Sequence, residues 1–209
     1  MNPAQNARAT TDRASRRPGI HSRALARPAK RKAPSTAAAA PIDKTWHLAQ
    51  TEAGRVLSAF EFTLERLFQA FYRWKSECLA AAGGAGLTGG DTAILNVIRM
   101  REQPKSLSEV ARLLNREDMS NVQYALRKLL QEGLVEKSDG ASRKSTTYRV
   151  TAKGFDVTER YAELRLEVLM VLLRALGDNR DRFGEVGHFL DLMAGMYDQA
   201  AGQVSARRY

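Results

Sequence analysis

Apolar residues first settle into a regular rhythm between Ile42 and about Ala82. Leu57, Phe60, Leu64, Leu67, Phe71, Trp74 and Cys78 recur at spacings of three and four, which predicts an apolar stripe along one side of a long helix. A helix of about 35 residues is roughly 50 Å long, more than one small domain covers, so the stripe calls for a partner, most simply a second copy of the chain. The glycine-rich run Gly83–Gly90 (GGAGLTGG) ends this pattern. It does not read as a phosphate-binding loop, because no Lys-Ser/Thr follows it and no strand precedes it. A second, shorter helix is predicted from about Asp91 to Met100, with Ala93, Ile94, Val97 and Ile98 inward, and Pro104 closes the segment behind it.

Residues 105–154 change character every ten residues or so. Ser106 with Glu109 three positions on has the form of a capping box, and the short helix it opens turns Val110, Ala111, Leu113 and Leu114 inward before stopping near Asn115. Asp118 is suited to cap a second helix, which Gly133 terminates as a C′ residue. Two short helices joined by a tight polar turn make a helix-turn-helix. Advancing 100° per residue along the second helix gathers Val122, Leu126, Leu129 and Leu130 within about 100° of one another. The opposite face carries Ser120, Tyr124, Arg127 and Lys128, flanked by Asn121 and Gln123, with no acid between Met119 and Gln131. An ordinary solvated helix face has such a composition too; the residues that follow tell the two apart. Tyr148 and Val150 alternate with Thr147 and Arg149 as in a half-buried strand, and Asp139-Gly140 marks the turn region of a hairpin. Arg143 and Lys144 fall near its tip. The C-terminal third is apolar again, from Phe155 to Leu176, and after Gly177 a last helix starts at Asp178 or Asp181. It keeps helical spacing through Phe183, Val186, Phe189, Leu190, Met193, Met196, Tyr197 and Ala200.

Composition narrows the function classes. The 209 residues are 44% hydrophobic and 27% charged, sufficient for a true core. Of the net charge of +10, residues 1–41 hold nine Lys/Arg against Asp12 alone, leaving only about +2 on the other 168 residues. The basic pI is therefore a property of the arm, and a case for nucleic-acid binding by the rest must come from local residues. The arm itself is rich in Ala, Arg, Pro and Ser and is expected to be disordered, adding sequence-independent attraction to phosphates; a transit peptide is the competing reading of the same composition. Cys78 is the only cysteine, and His21, His47 and His188 lie far apart, so neither a disulfide nor a metal set is expected, and no cofactor. No run of some 18 apolar residues suggests a membrane span, and no apolar leader suggests secretion. A cytoplasmic protein, nucleoid-associated, is the expectation. No nucleophile–base pair or nucleotide loop points to an enzyme.

The order helix, turn, helix, strand, basic turn, strand resembles the winged-helix core of the MarR family of bacterial transcription regulators. The resemblance rests on Leu87, Thr88, Ile94 and Leu95 at the entry, Ser-x-x-Glu-Val-Ala-x-x-Leu over 106–114, Ser-Asn-Val…Leu-x-x-Leu-x-x-x-Gly-Leu-Val over 120–135, Asp139 with Arg143 in the wing, and Thr-x-x-Gly at 151–154. It covers 88–154 closely and 42–205 more loosely. The wing is less basic and richer in Ser and Thr than the usual pattern, and the long basic arm is not part of it. The resemblance implies a mainly α (α+β) fold: a winged helix-turn-helix lobe over 88–154, flanked by a dimerisation helix (42–87) and C-terminal helices (155–209) that build an intermolecular bundle. It also implies a homodimer on a pseudo-palindromic operator of double-stranded DNA, released by a small aromatic effector.

Residue by residue, Ser106, Ser120, Asn121, Gln123, Tyr124 and Arg127 are the candidate DNA contacts, with Lys128 on phosphate and Arg143 and Lys144 acting from the wing. Arg suits a fork onto guanine and Asn or Gln a pair with adenine. Phe62, Arg66 and Phe68, with Phe60 and Tyr72, are the candidate wall of an effector site, although aromatics at helical spacing more often form core. Two other readings stay open: an architectural DNA protein without sequence preference, whose affinity would vanish with residues 1–41, and a winged helix turned to protein contacts.

Overall fold

The computed structural model describes residues 45–139, 146–177 and 179–207. The basic arm and the wing tip, with Arg143 and Lys144, lie outside these residues. The first helix, α1 (Glu52–Ala81), starts ten residues later than the hydrophobic pattern predicts. The reason is local. Thr51 is extended and its hydroxyl accepts the Gly54 amide at 3.0 Å, while Ser58 Oγ donates to the Leu48 carbonyl and folds the preceding turn back on the helix. A side chain that captures a first-turn amide ends the helix at that point.

Helix α2 (Gly89–Arg99) crosses α1 so closely that a Cβ at Gly89 would sit 2.6 Å from the Tyr72 carbonyl oxygen. The last two glycines of the glycine-rich run thus belong to a helix, not to a loop. Its N-cap is Thr88, in a complete capping box with Asp91. Beyond α2, a 3₁₀ turn at Met100–Glu102 leads to β1 (Lys105–Ser106), a two-residue strand absent from the pattern reading. Arg101 and Glu102 have φ of 62° and 53°. The buried Lys105 ammonium stabilises this turn by donating to the carbonyls of Ile98, Met100 and Gln103. Burial lowers the Lys105 pKa.

The helix-turn-helix is α3 (Leu107–Leu113) and α4 (Met119–Gln131). Only the serine half of the expected box is seen at α3, with Ser106 Oγ accepting the Glu109 amide at 3.2 Å. Val110 and Ala111 face inward as expected, but Leu113 is exposed. Gly133, at φ +66°, closes α4: its amide donates to Leu130 O and that of Leu134 to Leu129 O, the paired bonds of a Schellman motif. Strands β2 (Val135–Asp139) and β3 (Thr146–Val150) pair antiparallel from Val135↔Val150 to Asp139↔Thr146, and β1 adds to the free edge of β3. Leu79, Ile94, Leu95, Ile98, Val110, Val122, Leu126, Leu129, Leu134 and Val135 form one buried cluster that ties all these elements together, with Tyr148 and Val150 of β3 packed on its side.

Helix α5 (Ala152–Leu164) starts at the Thr151 cap and runs through a π-helical stretch, Arg165–Met170, into α6 (Val171–Arg174). Gly177 at φ +83° follows. The last helix, α7 (Arg180–Ala206), touches α1 through an edge-on contact of Phe60 with Phe189 and a hydrogen bond from Tyr197 to Glu61. Much of its apolar side, including Phe183, Val186, Phe189 and Met196, is exposed, and so are Leu57, Leu67 and Phe71 of α1.

Candidate nucleic-acid interface

Helix α4 is anchored from one side only. Val122, Ala125, Leu126 and Leu129 are buried, and the helix is held at its end by the Gly133 turn into β2. The periodicity therefore leaves the other side to solvent, and Ser120, Asn121, Gln123, Tyr124 and Arg127 are all exposed there. Tyr124 and Arg127, one turn apart, stack with the guanidinium carbon 5.9 Å from the ring centroid. Such a pair presents a planar fork of donors beside an aromatic face. Ser106, by contrast, is half-buried, its hydroxyl shared between the α3 cap and Ser108 Oγ at 3.1 Å.

Three side chains around the start of α4 are tied to each other. Arg116 donates to Asp118 through Nε at 2.8 Å and Nη2 at 2.6 Å, and Asn121 Nδ2 donates to the same carboxylate at 3.0 Å. Asp118 stands at the N-cap position but forms no side-chain bond to the helix amides, so its predicted capping role is replaced by this knot. The bonds from Arg116 and then Asn121 hold the Asp118 carboxyl well below the usual carboxylate range.

Lys128 does not join the open face. Its ammonium reaches 2.5 Å from Asp91 Oδ2, an oxygen that also accepts the Thr88 amide and hydroxyl, each at 2.8 Å. Asp91 is buried, and sequence reading missed it. The signal was present, since Thr88 followed three residues later by an acid is a capping pattern of its own.

A cleft of about 870 Å³ opens between α1, α2 and α4, walled by Phe68, Tyr72, Lys75, Asp91, Arg116 and Tyr124 among others. Of the predicted effector residues it takes Phe68 but neither Phe62 nor Arg66, which face one another farther toward the start of α1, with the Arg66 guanidinium carbon 5.9 Å from the Phe62 ring centroid. Phe60 instead packs on α7. Lys75 is buried, its ammonium 4.8 and 4.6 Å from the ring centroids of Phe71 and Tyr72, and burial lowers its pKa. Cys78 is also buried; its thiol donates to the Tyr161 carbonyl at 3.7 Å, and burial pushes its pKa up, away from the reactive thiolate. Among the described residues no group of three or more His, Cys, Asp or Glu is placed to hold a metal ion, and no helix is long and apolar enough to cross a membrane.

Residues 87–154 match the family model described as winged helix DNA-binding domain. Comparison with curated proteins finds no match. Among solved structures, the winged-helix chain is similar to the M. tuberculosis transcriptional regulator MosR in complex with DNA, at 20% identity and a TM-score of 0.53, over 66% of this chain and 96% of that one. It is similar to a cysteine mutant of E. coli MarR complexed with operator DNA, at 17% identity and a TM-score of 0.54, over 68% and 99%. The transcriptional repressor CouR bound to a 23-mer DNA duplex matches at 18% identity and a TM-score of 0.54, over 68% and 98%. At these identities the likeness establishes the fold. The winged-helix lobe and its flanking helices have the MarR fold, mainly helical with one small antiparallel sheet.

Proposed function

We propose that this chain is a sequence-specific DNA-binding transcription regulator, which binds a pseudo-palindromic operator as a homodimer. The observation that carries the reading is the two-sided character of α4: one side is locked into the core, and the other presents Ser120, Asn121, Gln123, Tyr124 and Arg127 to solvent. Those side chains have the hydrogen-bonding patterns that read base edges in a major groove, which has room for a helix. Three solved structures of the same fold are DNA complexes, which supports DNA binding by this fold here. The homodimer is supported by the exposed apolar residues on α1 and α7. Two copies would set their recognition helices in successive major grooves about 34 Å apart. Arg143 and Lys144 act from the wing in this proposal, and the basic arm adds affinity for any DNA sequence.

The cleft beside α4 is proposed as the site of a small aromatic effector, with Phe68 and Tyr72 as stacking walls and Lys75 as the cation at its edge. Phe62 and Arg66 have no part in this version of the site.

Selection of bound duplexes from a random pool tests the main proposal, and a palindromic consensus is the expected result. Arg127→Ala should then relax the choice at one base pair per half-site, costing about 1–3 kcal/mol on the selected sequence and little on random DNA. A pool that yields no consensus would instead favour an architectural binder.

A further inference from the structure

We infer that Lys128 and Asp91 act as a unit that sets the position of the recognition helix, and that Lys128 is a specificity-determining positioning residue, not a phosphate contact. The inference rests on the regulator reading above. From sequence alone Lys128 belongs with the outward polar residues of α4, and a lysine there would ordinarily be assigned to DNA phosphate. The structure gives its ammonium another partner, Asp91 Oδ2 at 2.5 Å. The side chain is three-quarters covered, and Asp91 is 4% exposed, so the acid cannot itself meet DNA. Asp91 is in turn fixed: the Thr88 amide and hydroxyl both donate to the same oxygen, and its own amide returns a bond to Thr88 Oγ1 at 3.2 Å.

The geometry makes this pair a tether between two helices. Helix α2 is packed hard on α1 at Gly89, and its first turn is held by the capping box. Asp91 lies in that first turn, so the carboxylate is attached to one of the least movable points in the lobe. The apolar contacts of Val122, Leu126 and Leu129 hold α4 against the core, but apolar packing is non-directional and tolerates small rotations and slides. A charge-assisted hydrogen bond is directional and short. The Lys128–Asp91 bond therefore fixes the rotation of α4 about its own axis, and with it the direction in which Arg127 and Tyr124 point, one and four residues earlier on the same helix. Base readout is sensitive to that direction, whereas attraction to phosphates is not.

A positioning lysine and a phosphate lysine predict opposite signs for one substitution. Asp91→Asn removes the acid that holds Lys128. If the ammonium served phosphate, freeing it would strengthen DNA binding and make the affinity more salt-dependent, by about 0.9 in the slope of log K against log salt. If the pair positions the helix, Asp91→Asn should lower the preference for the selected operator over random duplex by about tenfold, the loss of roughly one base contact, with the slope unchanged. Lys128→Met, which keeps the stem, should give the same loss, and the double variant should be no worse than either alone. Lys128→Arg, which can keep the bond, should retain most of the preference.

The measurement is fluorescence-anisotropy titration of operator and random duplexes at several salt concentrations, on the full chain. Far-UV circular dichroism and thermal melting of the same samples show that each variant is folded. Tighter binding by Asp91→Asn, or a lowered slope with intact preference in Lys128→Met, overturns the inference. A wild-type chain with no preferred sequence overturns the regulator reading instead, and the positioning role falls with it.

Discussion

A Cβ at Gly154 would lie 1.9 Å from the Leu134 carbonyl oxygen, a separation no side chain tolerates. The crowding has a purpose. Thr151 receives the Gly154 amide on its hydroxyl, donates that hydroxyl to Gly133 O at 2.7 Å and its own amide to Leu134 O at 3.1 Å. The first turn of α5 is thereby fastened to the end of α4 and the start of β2. Gly154→Ala should lower stability by about 1–3 kcal/mol, the usual cost of overpacking, through displacement of that turn. Chemical denaturation followed by far-UV circular dichroism reads the change directly. A variant as stable as the parent would mean that the Leu134 carbonyl moves aside freely. At the same scale, Lys105 shows why a polar residue inside a core need not be a site: three carbonyls surround its ammonium, and they belong to the turn it supports.

Among the elements, the turn between α3 and α4 depends most on charge. Asp118 is exposed, so its bonds with Arg116 and Asn121 hold the turn more by geometry than by energy. Its carboxyl titrates lower in the folded chain than in the unfolded one, so whatever stability the knot gives is fully present above the unfolded value of about 3.9. That stability is lost as pH falls through the lower folded value. The stability difference between the parent and Asp118→Asn should accordingly be constant near neutrality and shrink only below about pH 4. Paired denaturation curves across that range test it; a difference that shrinks already near pH 6 would place another group in the knot.

The elements also show what a sequence does and does not disclose. Helix α4 and its end were readable because Val122, Leu126 and Leu129 keep a 3.6-residue period and Gly133 needs the left-handed region. The hairpin strands were readable from the alternation at Thr147–Val150. Strand β1 was not, since two residues carry no period and Lys105–Ser106 is extended only because β3 offers an edge. The start of α1 was misplaced because apolar residues continue upstream of Thr51, and a cap overrules a pattern. In the candidate site, the outward residues of α4 followed from the helix wheel, whereas the partner of Lys128 is far away in sequence and nothing on the wheel points to it. The same holds for the cleft, whose walls come from α1, α2 and α4 and exclude the two α1 residues whose spacing alone had nominated them.

For the whole molecule, the question is what covers the open apolar sides of the long helices. Leu67, 57% exposed, lies on α1 with Leu57 and Phe71, and α7 leaves Phe183, Phe189 and Met196 open. Burying each such side chain contributes about 1.5–3 kcal/mol. These side chains are already about half covered, so their contributions from two chains together are of the same order as an association cost of about 4–15 kcal/mol, and the proposed dimer needs most of them buried at once. Leu67→Glu is a clean probe of the proposed dimer, because the residue is already exposed in the single chain and a surface change of this kind alters stability by about 0.5 kcal/mol or less. Placing a carboxylate at the same position on two chains in contact leaves two charges desolvated at once, which an interface does not tolerate. Sedimentation should show the parent at twice the chain mass of 23.2 kDa and the variant near the single-chain mass, both folded. The monomer should also bind a half-site as well as the full palindrome, because it has lost the second recognition helix and not the first. A variant that stays dimeric would move the contact off α1 and leave α7 to form it.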